Sequence, residues 1–435
     1  MKTLGIDIGT TTISAVVYDT AGGVLAARTV KNDAFLTGEP WERIQDPGVI
    51  CETATASVTL LLEEHPDVAA IGVTGQMHGI LYLDSNGEPV SPLYIWQDGR
   101  GDLPHPDGGT WASHLSALSG YPLATGYGLV THAYNLHHGL VPEQAAVLCT
   151  IHDYLAMKLA GLHRPVTDPT DAASLGFFDG PAGCFDRAAL AQVGMDDTLL
   201  PEIAAQPCLG TGSLGIPVYA AMGDNQASFL GATGGRTDVL LVNMGTGSQI
   251  SVYSPAYLQT DTLETRPFPD GGWLLVGASL CGGRSYALLE QFFRQTVEMA
   301  TGRQESVYEA MSRLLDQSGP VNNYPKVSTL FQGTRKDPAL RGSITHLGTD
   351  NFTPLHLLHG FMHGMADELY GMYRGYLDLG GKAPTAMIGS GNGLRKNPHL
   401  CRIMEETFGC PLILSENHEE AACGAAIYAA QHCNN

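Results

Sequence analysis

Three short stretches end apolar runs with residues suited to a polyanion. In Asp7-Ile8-Gly9-Thr10-Thr11 an acid is followed at once by a glycine turn. Successive backbone N–H groups in such a turn can cradle a phosphate, and the acid can hold a hydrated Mg2+. A plain hairpin turn capped by Asp has the same composition. Gly245-Thr246-Gly247-Ser248 repeats the pattern in the second half. Alone it reads as an ordinary turn. At a matching position in a second, similar domain it gains weight, because two such turns can grip a triphosphate from opposite sides. The third stretch, Gly389-Ser390-Gly391-Asn392-Gly393, follows Ala386-Met387-Ile388. It is no Walker A loop, since no Gly-Lys-Ser/Thr follows. It half-matches a dinucleotide fingerprint, with Glu416 as the acid, but Leu394 fills the sixth position. That reading, an NAD-dependent dehydrogenase, also leaves both Gly-Thr hairpins unused. The loop fits better against an adenine or ribose, with a structural glycine turn as the alternative.

Asp224, in Gly223-Asp224-Asn225-Gln226, follows the apolar run 218–222. An acid at the mouth of a strand can act as general base toward a hydroxyl. Asp is also a common helix N-cap, and local sequence favours that role. Thr74 to Gly79, with Gln76, Met77 and His78, and Tyr94 to Arg100, with Asp98 and Arg100, close two further apolar strands with donors and acceptors. Such a mixture suits a polyhydroxylated ligand. A hydrogen-bonded core histidine and a surface Asp98–Arg100 ion pair are the structural alternatives. His152-Asp153 and Asp168 to Ser174 are similar but less defined.

These residues need elements to hold them. Leu4, Ile6 and Ile8 alternate with smaller or polar residues, Ile13 to Tyr18 follows, and Val24 to Val30 resumes after Gly22-Gly23. This is a strand meander whose first turn lies at Gly9 to Thr11. Val239 to Met244 and Gln249 to Tyr253, around Gly245 to Ser248, echo it and suggest two related domains. Helices are predicted over 49–64, over 355–378 from the stripe Leu358, Phe361, Met362, Met365, Leu369, Met372 and Tyr376, and from Asn397-Pro398 to Gly409. Leu412 to Leu414 reads as a short buried strand. Asn417 with Glu420 resembles a capping box for a last, Ala-rich helix through Ala430. Alternating strands and helices make this an α/β protein. The Gly/Ser-rich loop Gly210 to Pro217 marks the expected domain break, giving domains 1–215 and 216–435.

Composition limits the partners. The 435 residues carry 23 Lys plus Arg against 44 Asp plus Glu, a net charge of −21, which argues against binding a nucleic-acid backbone. A small anion held by backbone amides remains open. No apolar stretch reaches the length of a membrane span, and the N-terminus meets Asp7 without an apolar signal region. The nine cysteines are scattered, with no Cys-x-x-Cys pair, so reduced packing thiols in a cytoplasmic protein are expected.

Taken in order, Gly5 to Thr10, Gln45-Asp46-Pro47, Thr74 to Gly79, Trp96 to Arg100, Gly223-Asp224, Gly245 to Gly247, Gly389 to Gly393 and Gly424-Ala425-Ala426 resemble the FGGY family of carbohydrate kinases along nearly the whole chain. Within the family, Ile95 to Arg100, Ala124 to Gly128, Thr150 to Tyr154, Asp171 to Gly176 and Arg395-Lys396-Asn397 look most like the branch acting on sedoheptulose. Gly75 to Gly79 and Asp98 to Arg100 are shared with xylulose kinases, which makes a pentulose the second choice. The chain is shorter than many members, and His152 and Tyr154 stand in a segment where many carry Lys and Trp.

The resemblance implies an actin-like fold of two ribonuclease H-like domains with a catalytic cleft between them. It implies ATP-dependent transfer to the terminal primary hydroxyl of a ketose, with Asp224 as base and Asp7 and Asp224 as ligands of Mg2+. Gly9, Thr10, Thr11, Gly245, Thr246 and Gly247 would hold phosphates, and Gly389, Gly391, Asn392 and Asn397 the adenosine. Gln76, Met77, His78, Asp98, Arg100 and Asp224 would bind the sugar, and a homodimer would be in keeping with the family.

Overall fold

The computed structural model describes residues 1–334 and 337–433. The chain divides into two compact units. One comprises residues 1–235, 266–271 and 417–435, and the other 236–265 and 272–416.

The first unit opens with the expected meander. Strands Lys2–Ile8, Thr12–Asp19 and Gly23–Lys31 run antiparallel in sequence. Val68–Gly75 then pairs parallel with Lys2–Ile8, and Val218–Tyr219 and Met222–Gly223 pair parallel with Val68–Gly75. A parallel partner requires a crossover, supplied by the helix Pro47–Glu64. It begins two residues before the predicted start. Asp46 caps it by accepting from the N–H groups of Gly48 and Val49, and Pro47 fits the first turn, where no N–H is needed. Ile50, Ala54, Val58 and Leu61 pack on Leu4, Ile6, Ile13 and Val17 to form the core under this sheet.

The other face of the sheet meets the Ala-rich helix Glu420–Cys433 at close range. A Cβ on Gly5 would overlap the carbonyl of Ala422, and one on Gly72 that of Ala425. The helix Asp224–Thr233 packs on it through Gly231 and Gly424, each facing the other helix's backbone. A second apolar cluster, around Ile80, Tyr82, Trp111, Leu129 and Phe177, builds the outer part of the unit.

The second unit repeats the topology. Leu240–Met244, Ser248–Ser254 and Gly272–Ser279 form an antiparallel meander. Met387–Ser390 pairs parallel with Leu240–Met244, and Leu412–Leu414 pairs parallel with Met387–Ser390. The crossover helix is Pro354–Asp378, whose predicted stripe is buried at Leu358, Phe361, Met362, Met365, Leu369 and Tyr376. Pro398–Phe408 follows, capped by Asn397 and closed by the left-handed Gly409.

Three expectations change. The loop 210–217 is not the boundary of a compact unit. It links strands of the first sheet, and the units divide at 235/236, after the strand and helix that complete the first repeat. Residues 216–235 and 417–435 therefore belong to the first unit. Leu412–Leu414 is an edge strand with Ile413 half exposed, not a buried one. The last helix begins at Glu420, and its first helical bond runs from the Cys423 N–H to the Glu419 carbonyl. Asn417 lies ahead of that turn and donates to the Gly231 carbonyl. All nine cysteines are free thiols. Among the described residues no helix is long and apolar enough to cross a membrane.

Candidate active site

In the first unit the strand register sets the acids. Asp7 lies beside Thr74, and Thr74 beside Met222; one step on, Ile8, Gly75 and Gly223 are adjacent. Asp7, on Lys2–Ile8, and Asp224, just after Met222–Gly223, thus lie at the same end of the sheet on either side of Val68–Gly75, where α/β ligands commonly bind. Gly223 is the N-cap of the following helix, so Asp224 is its first residue and not its cap. Its carboxylate accepts from Asn225 Nδ2 at 2.9 Å.

Both acids are half-buried and hard to ionise. Burial, then the charge of Asp224, pushes Asp7 up to about 7, and His152 opposes the shift. Burial also raises Asp224 above the usual carboxylate range, against the Asn225 hydrogen bond and the positive charges of His152 and Arg266. Asp7 and Asp224 could hold a divalent cation, whose charge would offset both the burial and the mutual repulsion.

The first glycine turn is braced by amide side chains. Asn32 Nδ2 donates to the Gly9 carbonyl at 2.9 Å, and Gln45 Nε2 donates to the Thr10 carbonyl at 2.9 Å. Gln76 donates to Gln45 Oε1 at 2.9 Å and accepts from Thr10 Oγ1 at 3.1 Å. The indole N–H of the exposed Trp96 reaches Thr10 Oγ1 at 3.0 Å. Fixing the carbonyls in this way fixes the peptide planes of Gly9 to Thr11. Gln76 is thereby a brace of the Gly9 to Thr11 turn, and Gln45 is its partner.

Met77 is buried, with its sulfur near Asn225 Nδ2. His78 adopts φ 75°, uncommon for a residue with a side chain. Its ring stacks on Tyr127 at 4.5 Å, and Nδ1 meets the Ser174 carbonyl at 2.7 Å. These contacts hold a backbone conformation that costs about 1–3 kcal/mol, the kind of strain concentrated at functional sites.

Asp98 and Arg100 are both fully buried and pair with each other, Nε to Oδ1 at 2.6 Å. Asp98 also accepts from the Arg43 N–H, and Arg100 from its other side reaches Glu42 and Asn135 and lies over the Tyr94 ring. This is neither the surface ion pair considered above nor an open sugar contact. It locks the chain that carries Trp96.

A buried cluster that the sequence only hinted at lies behind the acids. His152 Nε2 stands 2.7 Å from Asp171 Oδ2, with both residues fully buried. Thr150 Oγ1 donates to the same oxygen at 2.8 Å. Burial would lower the His152 pKa, but Asp171 beside it carries it up to about 9. Asp153, buried alongside, is pushed well above its ordinary range by burial and by Asp171. The available signal was His-Asp inside the mostly apolar helix Ile151–Ala160.

In the second unit the register brings the other two glycine stretches together. Asn243 lies beside Ser390, and Asn243 Nδ2 donates to Ser390 Oγ at 3.1 Å. Gly245 and Thr246 are exposed, and their carbonyls accept from the N–H groups of Gly283 and Arg284. Gly391, at φ 84°, and Gly393 lie so close to Met244 that a Cβ on either would press on its carbonyl. These two glycines therefore have a packing role beside any ligand. Asn392 is exposed, whereas the Asn397 side chain is turned to the Leu400 N–H as a helix cap.

Comparison with known proteins identifies the family and the fold. Models of the N-terminal and C-terminal domains of the FGGY family of carbohydrate kinases match residues 2–231 and 240–433. Sedoheptulokinase of Mus musculus is 29% identical over 98% of this chain and 96% of its own length. A xylulose kinase of Streptomyces coelicolor is 27% identical over 98% of this chain and 87% of its own. Among solved structures, xylulose kinase from Rhodospirillum rubrum superposes with a TM-score of 0.84 at 22% identity, covering 100% of this chain and 90% of that one. The fold is the actin-like ATPase fold.

Proposed function

The chain belongs to the FGGY family of carbohydrate kinases, and on that premise we propose that this ATP-dependent sugar kinase phosphorylates the terminal primary hydroxyl of sedoheptulose to give sedoheptulose 7-phosphate. The observation that carries the reading is the pair of half-buried acids, Asp7 and Asp224, at the ends of the two parallel strands that flank Val68–Gly75. The two mammalian sedoheptulokinase relatives, 29% and 28% identical over nearly full length, support the sugar. Xylulose is the second reading, supported by the xylulose kinase relative from Streptomyces coelicolor.

In the proposed reaction Asp224 accepts the proton of the sugar hydroxyl as its oxygen attacks the γ-phosphorus. The new O–P bond forms as the bond to ADP breaks. Phosphoryl transfer has a loose transition state, so positioning and charge stabilisation dominate. Asp7 and Asp224 would hold Mg2+, which neutralises charge on the phosphates. Amides of Gly9 to Thr11 and of Gly245 to Gly247 bind the phosphates, and Gly389, Gly391 and Asn392 adjoin the adenosine. Met77 and His78 border the sugar. Asp98 and Arg100 act on it indirectly, by holding Trp96 and the turn it braces.

The test is sugar-dependent ADP release against sedoheptulose, xylulose, ribulose, glycerol and gluconate. Sedoheptulose is expected to give the highest kcat/KM. A higher value for xylulose replaces the sugar, and no sugar-dependent release with any ketose overturns the reading.

A further inference from the structure

The buried cluster behind the acids takes no part in the steps above, yet the register places it under both of them. Ile8, Gly75 and Gly223 are adjacent across three parallel strands, and Asp7 and Asp224 are sequence neighbours of the outer two. Gly75, in the middle, has no side chain. A Cβ there would stand 3.0 Å from Ile8 Cβ and 3.1 Å from His152 Nδ1. The imidazole thus lies against the central strand end, with an acid-bearing strand on either side. Its other nitrogen faces Asp171, which Thr150 and Ser174 hold in turn by hydrogen bonds of 2.8 and 3.3 Å. Nδ1 is fully buried and has no hydrogen-bond partner among the described residues.

Resting on the reading of Asp224 as base and Asp7 as metal ligand, we propose that His152, anchored by Asp171, is a positioning residue for phosphoryl transfer. It packs against the end of the central strand at Gly75 and so fixes the two flanking strand ends that aim the acids. Outer-shell groups of this kind commonly matter nearly as much as the groups they orient.

The experiment uses the full chain and five proteins: wild type, Asp224→Asn, His152→Gln, His152→Lys and the double variant His152→Gln/Asp171→Asn. Steady-state kinetics and thermal melting are measured for each. His152→Gln is expected to lose about 10- to 100-fold in kcat with the KM for ATP little changed. His152→Lys, which keeps a donor for Asp171, should recover part of the loss. The double variant buries no lone charge, so it should melt near wild type and still show the low kcat. Three outcomes overturn the inference alone while Asp224→Asn is inactive. They are a double variant with wild-type kcat, a double variant that fails to fold, which would make the pair purely structural, and a lysine no better than glutamine. Wild-type turnover in Asp224→Asn overturns the base assignment and this inference together.

Discussion

The two opening hairpins share a backbone plan and differ in one functional group. Asp7-Ile8-Gly9 and Asn243-Met244-Gly245 end the first strand of each meander, and each has a hydroxyl residue beside it on the parallel strand, Thr74 and Ser390. In the first unit the group is a carboxyl that burial and Asp224 make hard to ionise. In the second it is a neutral amide bound to Ser390. An acid is useful where a cation must be held and a proton moved, and it repels a polyanion elsewhere. The repeated fold therefore supplies two glycine turns of one plan, and only the first has a carboxyl at this position. His152, Asp171 and Asp224, all in that unit, agree with the division.

The sharpest way to break this comparison is Asp224→Asn. Loss of a general base is expected to lower kcat by about two to four decades, with ATP binding retained, as read by steady-state kinetics and nucleotide titration. Near-normal turnover would remove Asp224 from its role. Asp7→Asn comes next, because it makes the first hairpin chemically like the second. A loss of about 10- to 100-fold is expected, largest at low Mg2+, and a rate profile against Mg2+ identical to wild type would refute the metal assignment. The reverse exchange, Asn243→Asp, should raise the KM for ATP and leave kcat nearly intact, since it adds repulsion to binding and not to the reacting centre.

Much of this was legible in the chain because it is locally encoded. Alternation in the first strand and glycine turns in both segments announced the opening hairpins, and Asn397-Pro398 with Gly409 announced a helix with its cap and its stop. What local sequence does not carry is long-range partnership. Nothing near Gly210 reveals that Val218–Tyr219 pairs with a strand near residue 71, nor does the Ala-rich end announce its return to Gly5 and Gly72. Burial is equally non-local. Asp98 and Arg100 look like a surface pair or a sugar clamp until Glu42, Tyr94 and Asn135 close around them. Asp224 looks like a cap until Gly223 takes that place. The glycines of 389–393 drew attention for a ligand, while Gly391 and Gly393 also meet a packing demand from Met244.

The two sheets also differ in how they are covered. In the first unit, Gly5 and Gly424 face backbone carbonyls, of Ala422 and Ala227. In the second, Gly389 faces side-chain ends, Leu412 Cδ2 at 2.9 Å and Leu394 Cδ1 at 3.2 Å from a Cβ placed there. Backbone cannot step aside as a leucine methyl can. Gly424→Ala should therefore destabilise by about 1–3 kcal/mol or more, whereas Gly389→Ala should cost less than about 1 kcal/mol. Denaturant melts of both variants decide it, and equal losses would show that the last helix is looser than its glycines imply.

Acid stability separates the units more gently. In the first, His132 is buried with Nδ1 2.9 Å from the Tyr82 hydroxyl, and burial lowers its pKa to about 4. In the second, burial and then the charge of His363 lower His359 to about 4, but that ring is only half-buried, so solvent screens much of its effect. The folded state thus keeps His132 neutral while the unfolded chain protonates it near 6.5. Its contribution is present above about pH 6.5 and is lost as pH falls toward 4, by about 1.4 kcal/mol per pH unit. Replacing His132 with Gln should flatten the acid limb of stability between those values, whereas His359→Gln should change it little. Equal flattening by both would place the acid-sensitive histidine burial in the second unit as much as in the first.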